Sequence, residues 1–145
     1  MTTQTQFTQS EWETLQFAPL WMLSGVAGAD ANIEELEIAA LMKEISEAAL
    51  YKNQLVREVL FSVGADAGIL DRYSADPRAI DHGLAQVADV LDAHLDPAQA
   101  KEFKRAMLGI GVEIANAAGP LFGGKISVEE QSALGWAALA MRFQV

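Results

Sequence analysis

Apolar residues recur along the chain at helical spacing, and no stretch alternates apolar and polar residues as a half-buried strand does. The two clearest stripes have spacings of three and four residues: Phe103, Met107, Ile110 and Ile114, and Ile80, Leu84, Val87 and Leu91. Such spacings place side chains on one face of a helix. The pattern predicts an all-α fold, a single compact domain of about six or seven helices over residues 1–145, with residues 1–8 expected to be flexible.

Cap signals predict where these helices begin. Thr8 and Glu11 have the spacing of a capping box, and Asn53 precedes another apolar stripe as a cap residue. Asp76-Pro77 and Asp96-Pro97 each predict a helix start. An aspartate accepts hydrogen bonds from first-turn amides, and proline lacks an N–H that would have no partner there.

Two apolar stretches, Thr14–Ala29 and Ala106–Gly124, are the candidates for a membrane span. The first is shorter than the roughly 20 residues that a span needs and contains Pro19. The second contains a glutamate and paired glycines, which are costly in lipid. We therefore expect no membrane span and interpret both stretches as core helices, with Pro19 dividing the first region into helices 9–17 and 19–28.

Composition narrows the class of protein further. The 145 residues include no cysteine, which excludes disulfides and thiolate chemistry and is compatible with the cytoplasm. The formal net charge of -10 disfavours nucleic acid as a partner and favours cations or basic protein surfaces, although acidity also serves solubility alone. Met1–Glu13 has no basic residue and does not resemble a secretory signal, so the expected location is cytoplasmic.

A turn-then-helix unit occurs twice, in residues 30–41 and 123–134. In each copy an isoleucine is followed four residues on by a glutamate and eight on by a leucine: Ile33, Glu37 and Leu41, then Ile126, Glu130 and Leu134. The shared spacing predicts a duplicated design in which the two motif helices pack near each other. Residues 28–33 also recur in part as 64–69, through coincidence or a shared helix-ending turn.

The repeated motif resembles the Ala-Asp-Gly-x-Ile-x-x-x-Glu signature of the TerB-like family of tellurite-resistance proteins, a module also attached to J-domain co-chaperones. The similarity lies at Ala29, Asp30, Ile33 and Glu37 and, more loosely, at Gly124, Ile126 and Glu130. Ala31 stands where the family has glycine, and Gly123 or Gly119 where it has aspartate. The resemblance implies a non-enzymatic, cytoplasmic, all-helical protein of stress or toxic-anion resistance, whose acidic residues near the turn bind divalent cations.

Four oxygen-bearing residues at the first turn are the candidate metal ligands: Asp30, Asn32, Glu34 and Glu37. Calcium takes about six or more oxygens, and magnesium keeps several waters, so four groups predict a weak, open site. An EF-hand is excluded because Glu35 stands at its obligatory glycine and Leu41 at its bidentate glutamate. The structural alternative is that Asn32 caps the helix and the glutamates stabilise its first turns by about 0.3 to 1 kcal/mol each.

Other residues whose side chains could bind a metal or transfer a proton are scattered along the chain. His82 and His94 lie twelve positions apart on one predicted helix, too far for two ligands of one metal, and are expected at the surface or a helix end. Glu113 lies in the most apolar stretch, where a buried carboxylate could serve as a general acid. The alternative for Glu113 is an ion pair with a base such as Lys104 or Arg105.

Glycines and aromatic residues indicate packing. Gly109 and Gly111 in mid-helix cost up to about 1 kcal/mol each, and close approach of another helix is the natural compensation. Large aromatic side chains are expected to anchor the core or an interface. They are Trp12, Phe17, Trp21, Phe122 and Trp136.

The sequence contains no nucleophile–base pair, phosphate-binding loop or Glu-x-x-His pattern. The leading expectation is the function that the TerB-like resemblance implies: a non-catalytic stress-response or interaction module with a protein partner and weak calcium or magnesium binding. The alternative is a homodimeric or partner-docking helical protein without a metal site. An enzyme or small-molecule binder on an unrecognised helical fold is the third class.

Overall fold

The computed structural model describes residues 3–27, 35–117 and 128–143. These residues form seven α-helices and no strand, which confirms the all-α class. A π-helical segment, Leu23–Ala27, continues the first helix, and short 3-10 turns lie at Thr3–Gln6 and Ala48–Leu50. The helices are α1 Gln9–Met22, α2 Glu35–Ser46, α3 Gln54–Ala65, α4 Ile69–Ala75, α5 Ile80–His94, α6 Pro97–Ala117 and α7 Val128–Ala140.

Helix α1 lies inside the domain, and every residue from Thr14 to Met22 is buried. It packs against α3, α5 and α6. Its first turn has the predicted capping box, because Thr8 accepts from the Glu11 N–H at 3.1 Å and Glu11 accepts from the Thr8 N–H at 2.9 Å. The apolar stretch that begins at Thr14 is thus a core helix, and none of the described helices is both long and apolar enough to cross a membrane.

The predicted break at Pro19 is wrong, since α1 runs through it. Proline removes one helical hydrogen bond and crowds the preceding turn, which costs about 3 kcal/mol in a helix interior. Burial of apolar residues on both sides of Pro19 outweighs that cost. The backbone changes one turn later, where the Leu23 N–H donates to the carbonyls of Pro19 and Leu20 and the π-helical segment begins.

The two Asp-Pro pairs behave differently. Asp96 caps α6 as predicted, accepting from the Gln99 N–H at 2.8 Å. Asp76-Pro77 does not start a helix: α5 begins at Ile80, and Ala79 is its N-cap. The Asp76 carboxylate instead accepts from the backbone and the guanidinium of Arg78, so it is not available to helix amides.

Helix α6 contacts α1, α2, α3, α5 and α7, and its stripe of Phe103, Met107, Ile110 and Ile114 is fully buried. At Gly111 the predicted close approach is confirmed, because an added Cβ would lie 2.7 Å from both the Leu134 and the Met22 side chains. At Gly109 it is wrong, since an added Cβ would meet no other element within 4 Å among the described residues.

Two further boundaries are local. Asn53 caps α3 as predicted, accepting from the Val56 N–H at 3.0 Å. Helix α2 ends at Ser46, and the 3-10 turn Ala48–Leu50 follows it. Among the aromatic residues, Trp12, Phe17 and Trp21 are buried, whereas Trp136 is 42% exposed. Phe122 lies outside the described residues.

Candidate functional site

Glu37 and Glu130 occupy equivalent positions in the two motif copies, and both are buried, with 1% and 0% exposure. They are the buried carboxylates among the described residues. Burial of a carboxylate is costly unless charged or hydrogen-bonding partners compensate it, and neither residue lacks such interactions. The glutamate position of the repeated motif is therefore buried in both copies.

Both glutamates lie in the first turn of their helix, on its inward face. One turn after Glu37, Leu41 is 3% exposed, and one turn after Glu130, Leu134 packs against the core. A four-residue step keeps side chains on one face, so each glutamate lies on the same face as its leucine. The duplicated Glu-x-x-x-Leu spacing thus has a structural counterpart in α2 and in α7.

The two motif helices share neighbours. Both α2 and α7 pack against α6 and against the π-helical segment Leu23–Ala27. Their other main contacts differ: α2 packs on α3, and α7 packs on α5. The prediction that the two motif helices pack near each other is therefore not confirmed: among the described residues α2 and α7 share no main contact and are joined through these neighbours.

Of the predicted metal ligands, Glu37 is described, while Asp30, Asn32 and Glu34 lie outside the described residues, as do Ile33 and Ile126. Within residues 3–27, 35–117 and 128–143, no group of three or more histidine, aspartate or glutamate side chains is arranged to hold a metal. A cation site at Glu37 therefore depends on ligands from the turn that precedes α2.

The two histidines lie on α5, as predicted, and have separate surroundings. His94, at the end of that helix, lies 2.9 Å from Oε2 of Glu11 and packs on the ring of Phe7. His82 is exposed and contacts Gln86. The Thr8 backbone N–H and His94 together lower the pKa of the Glu11 carboxyl. These contacts tie the first turn of α1 to the end of α5.

Glu113 is exposed, so the hypothesis of a buried acid in α6 is wrong. It lies on the solvent side of α6, between the inward-facing Ile110 and Ile114. Its charge acts on Tyr51, whose hydroxyl donates to Glu44 at 2.7 Å. Burial, with the negative charge of the surrounding glutamates, raises the pKa of the Tyr51 hydroxyl.

Arg78 makes a network of side-chain contacts that the sequence analysis did not predict. Its guanidinium binds both carboxylate oxygens of Asp76, at 2.9 and 2.8 Å, and donates to Thr14 at 3.0 Å and Gln86 at 2.5 Å. It also lies 4.9 Å from the centre of the Trp21 ring. Because Nε, Nη1 and Nη2 of Arg78 all donate to groups of the fold, Arg78 holds the α4–α5 connection on α1.

A second missed feature is a groove of 560 Å³ between α1 and the α3–α4 connection. Arg72 crosses it, pairing with Glu13 at 2.8 Å and, at close range, with Asp66. Asp66 also ends α3 and accepts from the Gly68 N–H at 3.1 Å, so the segment 64–69 is a helix-ending turn. Arg72 thus pairs with both carboxylates of the groove, and Asp66 also accepts from a backbone N–H, so these carboxylates already have partners within the fold.

Comparisons with protein-family models, curated proteins and solved structures found nothing that matches this chain. The resemblance to the TerB-like family accordingly rests on the motif residues themselves.

Proposed function

We propose that this protein is a non-catalytic, cytoplasmic helical module of TerB-like type, built on two turn-helix units and acting through binding. In this proposal the first unit binds a divalent cation weakly, with Glu37 supplying one ligand and Asp30, Asn32 and Glu34 the others. The resemblance connects such a module with stress or toxic-anion resistance and with a protein partner.

The observation that carries the proposal is the burial of Glu37 together with Glu130. The formal net charge is -10, so acidic side chains are plentiful, and solvent is their normal environment. Two carboxylates buried at the same motif position favour a shared role in the turn-helix unit over chance. Their interior location also supports a role in shaping that unit, because buried groups cannot contact a large partner directly.

The remaining charges support binding over catalysis. The carboxylates in the groove beside α1 are paired with Arg72, and Asp76 is paired with Arg78. His94 is engaged by Glu11. General acid–base catalysis needs a titratable group within reach of a substrate, and each of these groups already has a structural partner.

Thermal unfolding in the presence of magnesium, calcium or manganese tests the proposal. A ligand that binds only the folded state stabilises it by about 1.4 kcal/mol for each tenfold excess over its Kd. For a weak site we expect no change in melting temperature at micromolar cation and a rise at millimolar concentrations. Glu37→Gln keeps the side-chain shape and removes the charge, so it should abolish that rise.

Glu113→Gln is the matched control, because Glu113 is also a helical glutamate but is exposed. It should retain the cation-dependent rise. If Glu37→Gln lowers stability but keeps the rise in full, Glu37 is structural and the cation role is refuted. If wild type shows no rise at any concentration, the first unit binds no cation.

A further inference from the structure

Helix α7 is apolar on its solvent side as well as on its core side. Its exposed side chains include Val128 at 73%, Trp136 at 42% and Leu139 at 79%, while Ala137 on the opposite side is 3% exposed. Large exposed apolar side chains that share one face mark an interaction surface more often than isolated ones do. We call Val128, Ser132, Gly135, Trp136 and Leu139 the α7 face.

The face has the spacing of a helix–helix seam. Val128, Ser132, Gly135 and Leu139 are separated by four, three and four residues and are all exposed. This is the a/d spacing of paired helices. The two central residues are small, and a Cβ built on Gly135 would meet nothing within 4 Å in the described part of the chain, so another helix has room to approach closely at the middle of α7.

The order of side-chain sizes along the seam is large, small, small, large, and it reads the same in either direction. An antiparallel second copy would place its Leu139 on Val128 and its Gly135 on Ser132. Such self-complementarity is what a two-fold symmetric interface requires, because the same patch serves both subunits. Trp136, beside the seam, would cover its flank.

Charge selects a second copy over a basic partner. Residues 131–140 carry no charged side chain, although the net charge is -10. Two acidic copies therefore meet with least repulsion across this face, whereas a basic partner would be drawn to other surfaces.

The area of the face fits a reversible dimer. Val128, Trp136 and Leu139 would each bury on the order of 100 Å². With the neighbouring polar residues, two copies together would bury about 1,000 Å², which lies at the low end for specific interfaces and below the area of permanent dimers. The assembly should therefore depend on protein concentration.

We propose that the α7 face is a self-association surface that pairs antiparallel with the α7 face of a second copy, forming a reversible homodimer. This inference goes beyond cation binding and does not depend on it. The residues that carry it belong to the solvent side of α7, whereas Glu130 lies on its core side.

Sedimentation equilibrium of the full chain from about 1 to 500 µM tests this proposal, because the dimer fraction should rise with concentration. We expect the mass to move from 15.6 kDa toward twice that value. Leu139→Glu should remain a monomer throughout. Leu50→Glu is the control, since Leu50 is 78% exposed on the 3-10 turn and should associate like wild type.

Since the chain has no cysteine, introduced thiols report the helix direction. Mixing Ser132→Cys with Gly135→Cys should give faster oxidative cross-linking than either variant alone. A wild type that stays monomeric overturns the proposal. It is equally overturned if Leu139→Glu associates normally, if Leu50→Glu loses association as well, or if each thiol variant cross-links best with itself.

Discussion

The indole of Trp21 in α1 occupies the space that a side chain at Gly83 in α5 would fill. A Cβ built on Gly83 would lie 2.7 Å from Cη2 of the indole, closer than nonbonded carbon atoms approach each other. The ring is also held on other sides, with Phe17 packed edge-on at 5.6 Å and Arg78 at 4.9 Å from its centre. The absence of a side chain at Gly83 therefore sets the distance between α1 and α5.

Gly83→Ala should lower the free energy of unfolding by about 1 to 3 kcal/mol, because Trp21 cannot move away without disturbing Phe17 and Arg78. Urea unfolding measures the change. Gly109→Ala is the matched control, since Gly109 also lies within a helix but has no other element among the described residues within 4 Å of an added Cβ. That substitution should stabilise α6 by up to about 1 kcal/mol. Equal effects at the two positions would contradict this account of the α1–α5 contact.

Arg78→Lys should destabilise the protein although it keeps the positive charge. A lysine cannot bind both oxygens of Asp76 while also donating to Thr14 and lying over Trp21. We expect a loss of about 2 to 3 kcal/mol in urea unfolding. A double-mutant cycle with Asp76→Asn should show coupling of about 1 kcal/mol or more. Additive effects of the two substitutions would argue against a shared clamp.

The same ion pair predicts acid sensitivity. The Arg78 guanidinium holds the pKa of the Asp76 carboxyl below its ordinary value of 3.8. A carboxyl with a lowered folded-state pKa stabilises the fold above its unfolded-state pKa, and this contribution disappears as pH falls through the lower folded-state value. Asp76→Asn should therefore lower the free energy of unfolding at about pH 6 to 7. Below about pH 4, the free energy of unfolding of this variant should fall less steeply with decreasing pH than that of wild type.

Asp71→Asn serves as the control for that measurement, because Asp71 is exposed in the first turn of α4. A larger change in slope for Asp76→Asn than for Asp71→Asn would trace the effect to the Arg78 contact rather than to the loss of any one negative charge. If Asp76→Asn retains the full acid-induced loss, other carboxyls account for it. Urea unfolding across the pH range gives the slopes directly.

The features that sequence predicted correctly are those set by nearby residues. The Thr8–Glu11 capping box, the Asn53 cap and the Asp96-Pro97 start each depend on side chains within three positions of the amide that they satisfy. Such signals survive because tertiary contacts do not compete with them. The burial of Glu37 was not predicted, because the sequence analysis treated it as a cation ligand or a first-turn charge.

The errors arose where tertiary contacts changed the outcome. Burial keeps Pro19 inside α1, and Arg78 takes the carboxylate of Asp76 away from the start of α5. The contact between Trp21 and Gly83 joins residues 62 positions apart, so no local sequence pattern predicts it. The Arg72 and Arg78 ion pairs were missed for the same reason, since an isolated arginine is ordinary in sequence.

The first turn-helix unit is proposed to bind a divalent cation weakly. Isothermal titration calorimetry of the full chain with calcium, magnesium and manganese tests it most directly, using Asp30→Ala as the ligand-loss variant. We expect weak heats of binding that saturate only at millimolar cation and that vanish in Asp30→Ala. The melting temperature of that variant should be close to wild type. Tight stoichiometric binding, or an absence of binding even at millimolar cation, would contradict it.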